Sequence, residues 1–147
     1  MRISPASDTH LHALCALENA TFDAHSFPLS KRNFIHHLKK GNIFIAHKQT
    51  QIMGYILLFT YKKSLRIYSI AVDKDFRGQK VGMKLMEYTK ELAIIMQKER
   101  LTLEVKTSNL NAIRFYERFG FKMMKRLKEY YSTEDGYKME MMLKKTV

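Results

Sequence analysis

Apolar and polar positions change their spacing several times along this chain, and each change marks an expected element. Met1 to Ile3 suit a short strand, and from Asp8 to Phe22 the residues Leu11, Leu14 and Leu17 fall near one face of a helix. Pro28 breaks that pattern. Ser30 then offers an N-cap for a second short helix, which Gly41 ends at about the C′ position. The runs NIFIAHK, QIMGYILLFTY and SLRIYSIAVD, from Asn42, Gln51 and Ser64, are rich in β-branched and aromatic residues and are separated by short polar turns, which predicts an antiparallel meander.

From Val81 the spacing becomes helical, with Val81, Leu85, Tyr88, Leu92 and Ile95 on one face of a helix that runs to about Lys98. Arg100 to Lys106 alternates Leu101, Leu103 and Val105 with Thr102, Glu104 and Lys106, a strand with Glu104 on its polar face. Ile113, Tyr116 and Phe119 follow at three-residue steps in a short helix that Gly120 stops, since glycine reaches the left-handed C-cap conformation cheaply. Two strands, near Phe121 to Tyr130 and Tyr137 to Leu143, close the chain. The expected fold is α/β: a mixed, mostly antiparallel sheet flanked by helices, with the strands on either side of the long helix parallel across that crossover.

A length of 147 residues fits one domain spanning residues 1–147. Hydrophobic residues make up 46% of the chain, with no apolar run of the roughly 18 residues that span a bilayer, so no membrane association is expected. The N-terminal stretch lacks the features of an export signal, which points to the cytoplasm. The single cysteine, Cys15, sits in the apolar helical pattern of Leu11 and Leu14 and reads as a packed thiol. His36 and His37 are adjacent, and no set of Cys, His and carboxylates has metal-ligand spacing, so no metal is implied.

A net charge of +12 draws anionic partners without identifying the anion. The cations are spread as KR and KK pairs outside any nucleic-acid reading motif, so nucleic acid is not expected as substrate. One stretch is more specific. In DKDFRGQKVGMKLMEYT, Asp73 to Thr89, Gly78 and Gly82 flank Lys80 where a strand opens into a helix. Free amides and the positive end of a helix dipole favour phosphate there, although two glycines at a helix start equally suit plain turn chemistry.

RGQKVG, Arg77 to Gly82, resembles the pyrophosphate loop of the GNAT superfamily of acetyl-coenzyme A dependent N-acetyltransferases, and NLNAIRFYERFGF, Asn109 to Phe121, resembles its second motif. FPLS, IAVDKDFRGQKVG, LEVKTSN, FYERFGF and YYSTEDG together are most similar to the RimI-type ribosomal-protein alanine N-acetyltransferases. Lys80 stands where the loop usually has its first glycine, Leu29 where the family often has Trp, and Ser132 where a Pro is frequent.

The resemblance implies direct transfer of an acetyl group from acetyl-CoA to an amine, foremost the N-terminal α-amino group of a protein or peptide such as a ribosomal protein. It assigns the coenzyme to the backbone of Ile70, Ala71 and Val72, to the loop Arg77, Gly78, Gln79, Lys80, Val81, Gly82 and Met83, and to Asn109. By the same match Glu104 is the general base and Tyr116 the acid that protonates the departing thiolate, while Phe27, Leu29, Tyr130 and Tyr131 flank the peptide groove. Plainer readings accompany these: an ion pair for Glu104, core packing for Tyr116, a helix cap for Asn109 and edge packing for the aromatic residues. At Lys80 the amide rather than the side chain is expected to serve phosphate, which a non-glycine residue allows if its φ stays negative. A small-molecule amine or lysine acetyltransferase, and a noncatalytic basic module with a vestigial CoA site, are the alternatives.

Overall fold

The computed structural model describes residues 1–22 and 28–143. Its strands are β1 (Arg2–Pro5), β2 (Ile43–Lys48), β3 (Gln51–Thr60), β4 (Ser64–Val72), β5 (Arg100–Lys106), β6 (Lys122–Tyr131) and β7 (Glu134–Met142). The helices are α1 (Leu11–Thr21), α2 (Lys31–Lys40), α3 (Val81–Ile95) and α4 (Leu110–Phe119). The sheet has seven strands in the order β1-β2-β3-β4-β5-β7-β6. β4 and β5 run parallel, and the pairs β1/β2, β2/β3, β5/β7 and β6/β7 are antiparallel, as the mixed pattern predicted. No helix among the described residues is long and apolar enough to cross a membrane.

Two compact units share the chain: Met1–Leu58 with Ser69–Tyr88, and Phe59–Tyr68 with Thr89–Val147. In the first, Leu14, Leu17, Phe34, Ile43, Ile45, Tyr55, Leu57 and Leu85 are buried, and the Phe34 and Tyr55 rings meet edge to face at 5.7 Å. The expected helix from Asp8 begins as a 3-10 turn, Asp8–His10, and becomes α-helical only at Leu11. α2 starts as its sequence implies, with Ser30 Oγ accepting the Asn33 N–H at 3.1 Å and Asn33 Oδ1 accepting the Ser30 N–H at 3.3 Å. Gly41 closes it at φ 71°.

In the second unit Leu65, Ile67, Leu101, Leu103, Val105, Ile113, Phe121 and Met139 are buried. α3 stops at Ile95, short of Lys98, because Gln97 turns left-handed at φ 59° and the Lys98 N–H folds back to the Ala93 carbonyl at 2.9 Å. Gly120 ends α4 at φ 125°, where a Cβ would press on Met141 Sδ at 3.0 Å. β7 begins at Glu134, earlier than expected, so only Ser132 and Thr133 separate it from β6. β6 is the last strand of the sheet, and its register with β7 shifts between Met123 and Lys125 and again between Leu127 and Tyr131.

Candidate active site

In the first unit β4 ends in Ile70, Ala71 and Val72, with Ala71 buried and its neighbours half-buried. Gly54 on β3 permits a close approach: a Cβ there would lie 2.7 Å from the Ala71 carbonyl oxygen and 3.2 Å from Val81 Cγ1. Gly54→Ala is therefore expected to displace the end of β4 and to destabilise the protein by about 1–3 kcal/mol, the usual cost of overpacking, as read by denaturant titration.

After β4 the Asp73 N–H returns to the Met53 carbonyl at 2.9 Å, and Asp73 Oδ1 caps the 3-10 turn Lys74–Phe76 through the Asp75 N–H at 2.9 Å. The Gln79 N–H is spent on the Phe76 carbonyl at 3.3 Å, and the Lys80 carbonyl takes the first bond of α3, from the Lys84 N–H, at 3.0 Å. The amides of Gly78, Lys80, Val81, Gly82 and Met83 have no acceptor among the described residues. Unspent donors at a helix start are groups of the kind that hold phosphate oxygens. Arg77 and Lys80 are exposed beside them.

Lys80 corrects an expectation. Its φ is +62°, not negative, because the chain must turn from the 3-10 segment into α3 within a few residues, and Gly78 at +83° supplies only part of that reversal. The lysine holds a conformation that glycine adopts freely. Lys80→Gly is expected to stabilise the protein by roughly 0.5–1 kcal/mol, the left-handed penalty less the added entropy of glycine, and to raise the melting temperature by about 2 °C.

In the second unit the parallel register runs from Ser64↔Arg100 to Ile67↔Leu103, so Glu104 is the first β5 residue beyond it. Glu104 is ion-paired with Arg66 of β4: Arg66 Nε donates to Glu104 Oε1 at 2.7 Å and Nη2 approaches the same oxygen. Arg66 Nη2 also donates to the Tyr130 hydroxyl at 3.1 Å and Nη1 to the Tyr61 hydroxyl at 3.3 Å, while the Tyr130 hydroxyl lies 3.4 Å from Glu104 Oε1. The plainer reading of Glu104 as an ion-pair partner is thus a fact of the structure, and it leaves open a second use of the same carboxylate.

Tyr116 projects from α4 with its ring against Phe115 and Phe121 at centroid distances of 5.5 and 5.8 Å. Burial pushes its hydroxyl up to about 12 from the ordinary tyrosine value. The ring packs, and the hydroxyl stays protonated at neutral pH. Asn109 caps α4, its Oδ1 accepting the Ala112 N–H at 3.2 Å, so its side-chain oxygen is already engaged. Glu134 fixes the adjoining turn by accepting the Ser108 hydroxyl at 2.9 Å and the Ser108 N–H at 3.1 Å, bonds that hold its carboxyl below the usual range.

Tyr130 and Tyr131 pack edge to face at 5.0 Å, with Lys106 Nζ 5.6 Å from the centre of the Tyr131 ring. Burial raises the Tyr131 hydroxyl pKa, and the neighbouring Tyr130, Glu104 and Tyr116 raise it further. Leu29 is half-buried and donates its N–H to Glu18 at 2.6 Å. Phe27 lies outside the described residues.

Arg66, Tyr61, Gly54 and Glu18 were not singled out by the sequence reading. Glu18 is 2% exposed on α1 and accepts the Tyr55 hydroxyl at 2.5 Å, while the Tyr55 and Ser69 hydroxyls lie 2.8 Å apart. Its burial raises the carboxyl pKa against the opposing effect of both hydrogen bonds. A helical pattern shows an apolar stripe but not which acid interrupts it. Arg66 and Glu104 are far apart in sequence, and only the register of β4 on β5 brings them together.

The model of the acetyltransferase (GNAT) family matches residues 11–121. N-alpha-acetyltransferase 30 of Dictyostelium discoideum is 40% identical over 93 residues, 60% of this chain, and the chain spans only half the length of that protein. The [ribosomal protein bS18]-alanine N-acetyltransferase of Escherichia coli is 30% identical over 137 residues, 91% of this chain and 89% of its own. A crystal structure of the ribosomal-protein-S18-alanine N-acetyltransferase from Escherichia coli superposes with a TM-score of 0.87 at 25% identity, over 99% of this chain and 96% of that one.

Proposed function

Because the chain belongs to the acetyltransferase (GNAT) family, whose members take acetyl from acetyl-CoA, we propose that it acetylates the N-terminal α-amino group of a protein, with a ribosomal protein as the first candidate. What supports this reading is a β5 carboxylate, Glu104, just beyond the parallel register with β4, in the same compact unit as a buried phenol, Tyr116, that is protonated at neutral pH. The five unspent amides from Gly78 to Met83 fit the coenzyme's diphosphate.

In the proposed reaction the neutral amine attacks the thioester carbonyl. Backbone amides at the end of β4 stabilise the oxyanion as the carbonyl π bond opens. Glu104 accepts the proton of the attacking amine, directly or through water, the C–S bond breaks as the carbonyl re-forms, and Tyr116 protonates the thiolate. Amide and free thiol are the products. Departures at Leu29 and Ser132 bear on which N-terminus is accepted.

The test is mass spectrometry after incubation with acetyl-CoA and a panel of peptides with free or blocked N-termini, together with lysine-containing peptides and small amines. Acetylation confined to free N-termini is expected. Transfer to lysine or small amines with untouched termini would replace the α-amine reading. Tight, salt-sensitive RNA binding without any acetyl transfer would support the noncatalytic alternative, since each neutralised phosphate releases counterions.

A further inference from the structure

We propose that Arg66 is a positioning residue for the reaction, one that holds Glu104 in a single orientation with Oε2 turned to the amine proton. The inference rests on the reading of Glu104 as proton acceptor. Among the described residues every hydrogen bond and ion pair of the Glu104 carboxylate falls on Oε1: Arg66 Nε at 2.7 Å, Arg66 Nη2, and the Tyr130 hydroxyl at 3.4 Å. Oε2 has no donor among the described residues. A carboxylate tied at one oxygen is fixed in rotation yet keeps its second oxygen for a substrate or a water.

The guanidinium is itself held in place. Its carbon lies 5.5 Å from the centre of the Tyr68 ring and 5.9 Å from that of Phe59, rings that stand 4.7 Å apart. Nη1 and Nη2 are directed at the Tyr61 and Tyr130 hydroxyls at 3.3 and 3.1 Å. A planar fork serves three partners in different directions, which a lysine ammonium on a flexible stem does not reproduce. Two neighbouring cations are engaged elsewhere: Lys138, opposite Glu104 in the β5/β7 register, pairs with Glu140 at 3.6 Å, and Lys106 Nζ lies 5.6 Å from the centre of the Tyr131 ring. Arg66 is therefore the cation that sets the carboxylate's orientation, and through Tyr130 it links that carboxylate to a strand proposed to border the acceptor.

The experiment compares Arg66→Met and Arg66→Lys with the parent and with Glu104→Gln, alone and combined, measuring kcat, acceptor KM and acetyl-CoA Kd. Arg66→Met should lower kcat about ten- to hundredfold, the scale of a misplaced catalytic group, with acetyl-CoA Kd within about twofold. In the Glu104→Gln background the same change should cost less than about twofold, because residues acting through one another are not additive. Arg66→Lys should fall between parent and Arg66→Met. An equal loss in both backgrounds, a loss confined to acceptor KM, or an unchanged kcat would each overturn the proposal. If Arg66→Met does not fold, Arg66→Lys decides: a kcat lowered at least about threefold at parental KM supports positioning, and parental kcat overturns it. A fully active Glu104→Gln enzyme removes the base reading itself, whereas an impaired one with an indifferent Arg66→Met removes only the role of Arg66.

Discussion

Tyr116→Phe is expected to lower turnover by about a hundredfold or more, the typical worth of a positioned proton donor, while acetyl-CoA affinity and melting temperature stay close to the parent. The ring contacts with Phe115 and Phe121 survive the change, and Tyr116 makes no hydrogen bond to a described residue that the change would break. Burial favours the neutral phenol, so the proton that the reaction needs is present until pH approaches about 12. An alkaline decline in rate below pH 10 therefore belongs to another group. The same shift contributes stability that is complete below the ordinary tyrosine value and is lost as pH rises through the folded one. Single-turnover kinetics with chemistry rate-limiting give the test, and unchanged turnover there would exclude Tyr116 as the acid.

Glu104→Gln should give the second large loss, of about a hundredfold or more at neutral pH, because it removes the proton acceptor while keeping the size of the side chain. The defect should shrink as pH rises through about 8, where the α-amine is already neutral and only the proton released on attack still needs an acceptor. A variant with the parent's rate and pH profile would leave Glu104 with its ion pair to Arg66 as its whole role.

Much of the scaffold was legible because local chemistry and tertiary need agreed. The alternation of Leu101, Leu103 and Val105 defined β5 with its bounds at Arg100 and Lys106, and Ser30 and Gly41 punctuate α2 as their side-chain chemistry predicts. Glu104 and Tyr116 could be proposed from motif resemblance, but their surroundings could not. The ion pair with Arg66 depends on a register between strands separated by a long helix, and no local pattern encodes it. The positive φ of Lys80, against the condition set for it from the sequence, has a related reason. An allowed negative φ is the better guess for a lone lysine, whereas the turn into α3 imposes its own geometry. Asn109 shows the converse, a motif residue whose visible oxygen bond is to its own helix.

The position of β6 at the end of the sheet bears on how the protein behaves when crowded with its own copies. A terminal strand offers unpaired backbone groups to any extended chain, and Met123 and Met124, 48% and 55% exposed, add apolar surface that would reward such pairing. Lys122, Lys125, Arg126 and Lys128 along the same strand oppose it, because two such edges would bring like charges together, and the register shifts against β7 bend the strand away from a flat template. Part of the positive charge thereby acts as a guard against self-assembly into aggregates, independent of any anionic ligand. Replacing Lys122, Lys125 and Lys128 by neutral residues is therefore expected to lower solubility at high protein concentration while leaving Glu104 and Tyr116 in place.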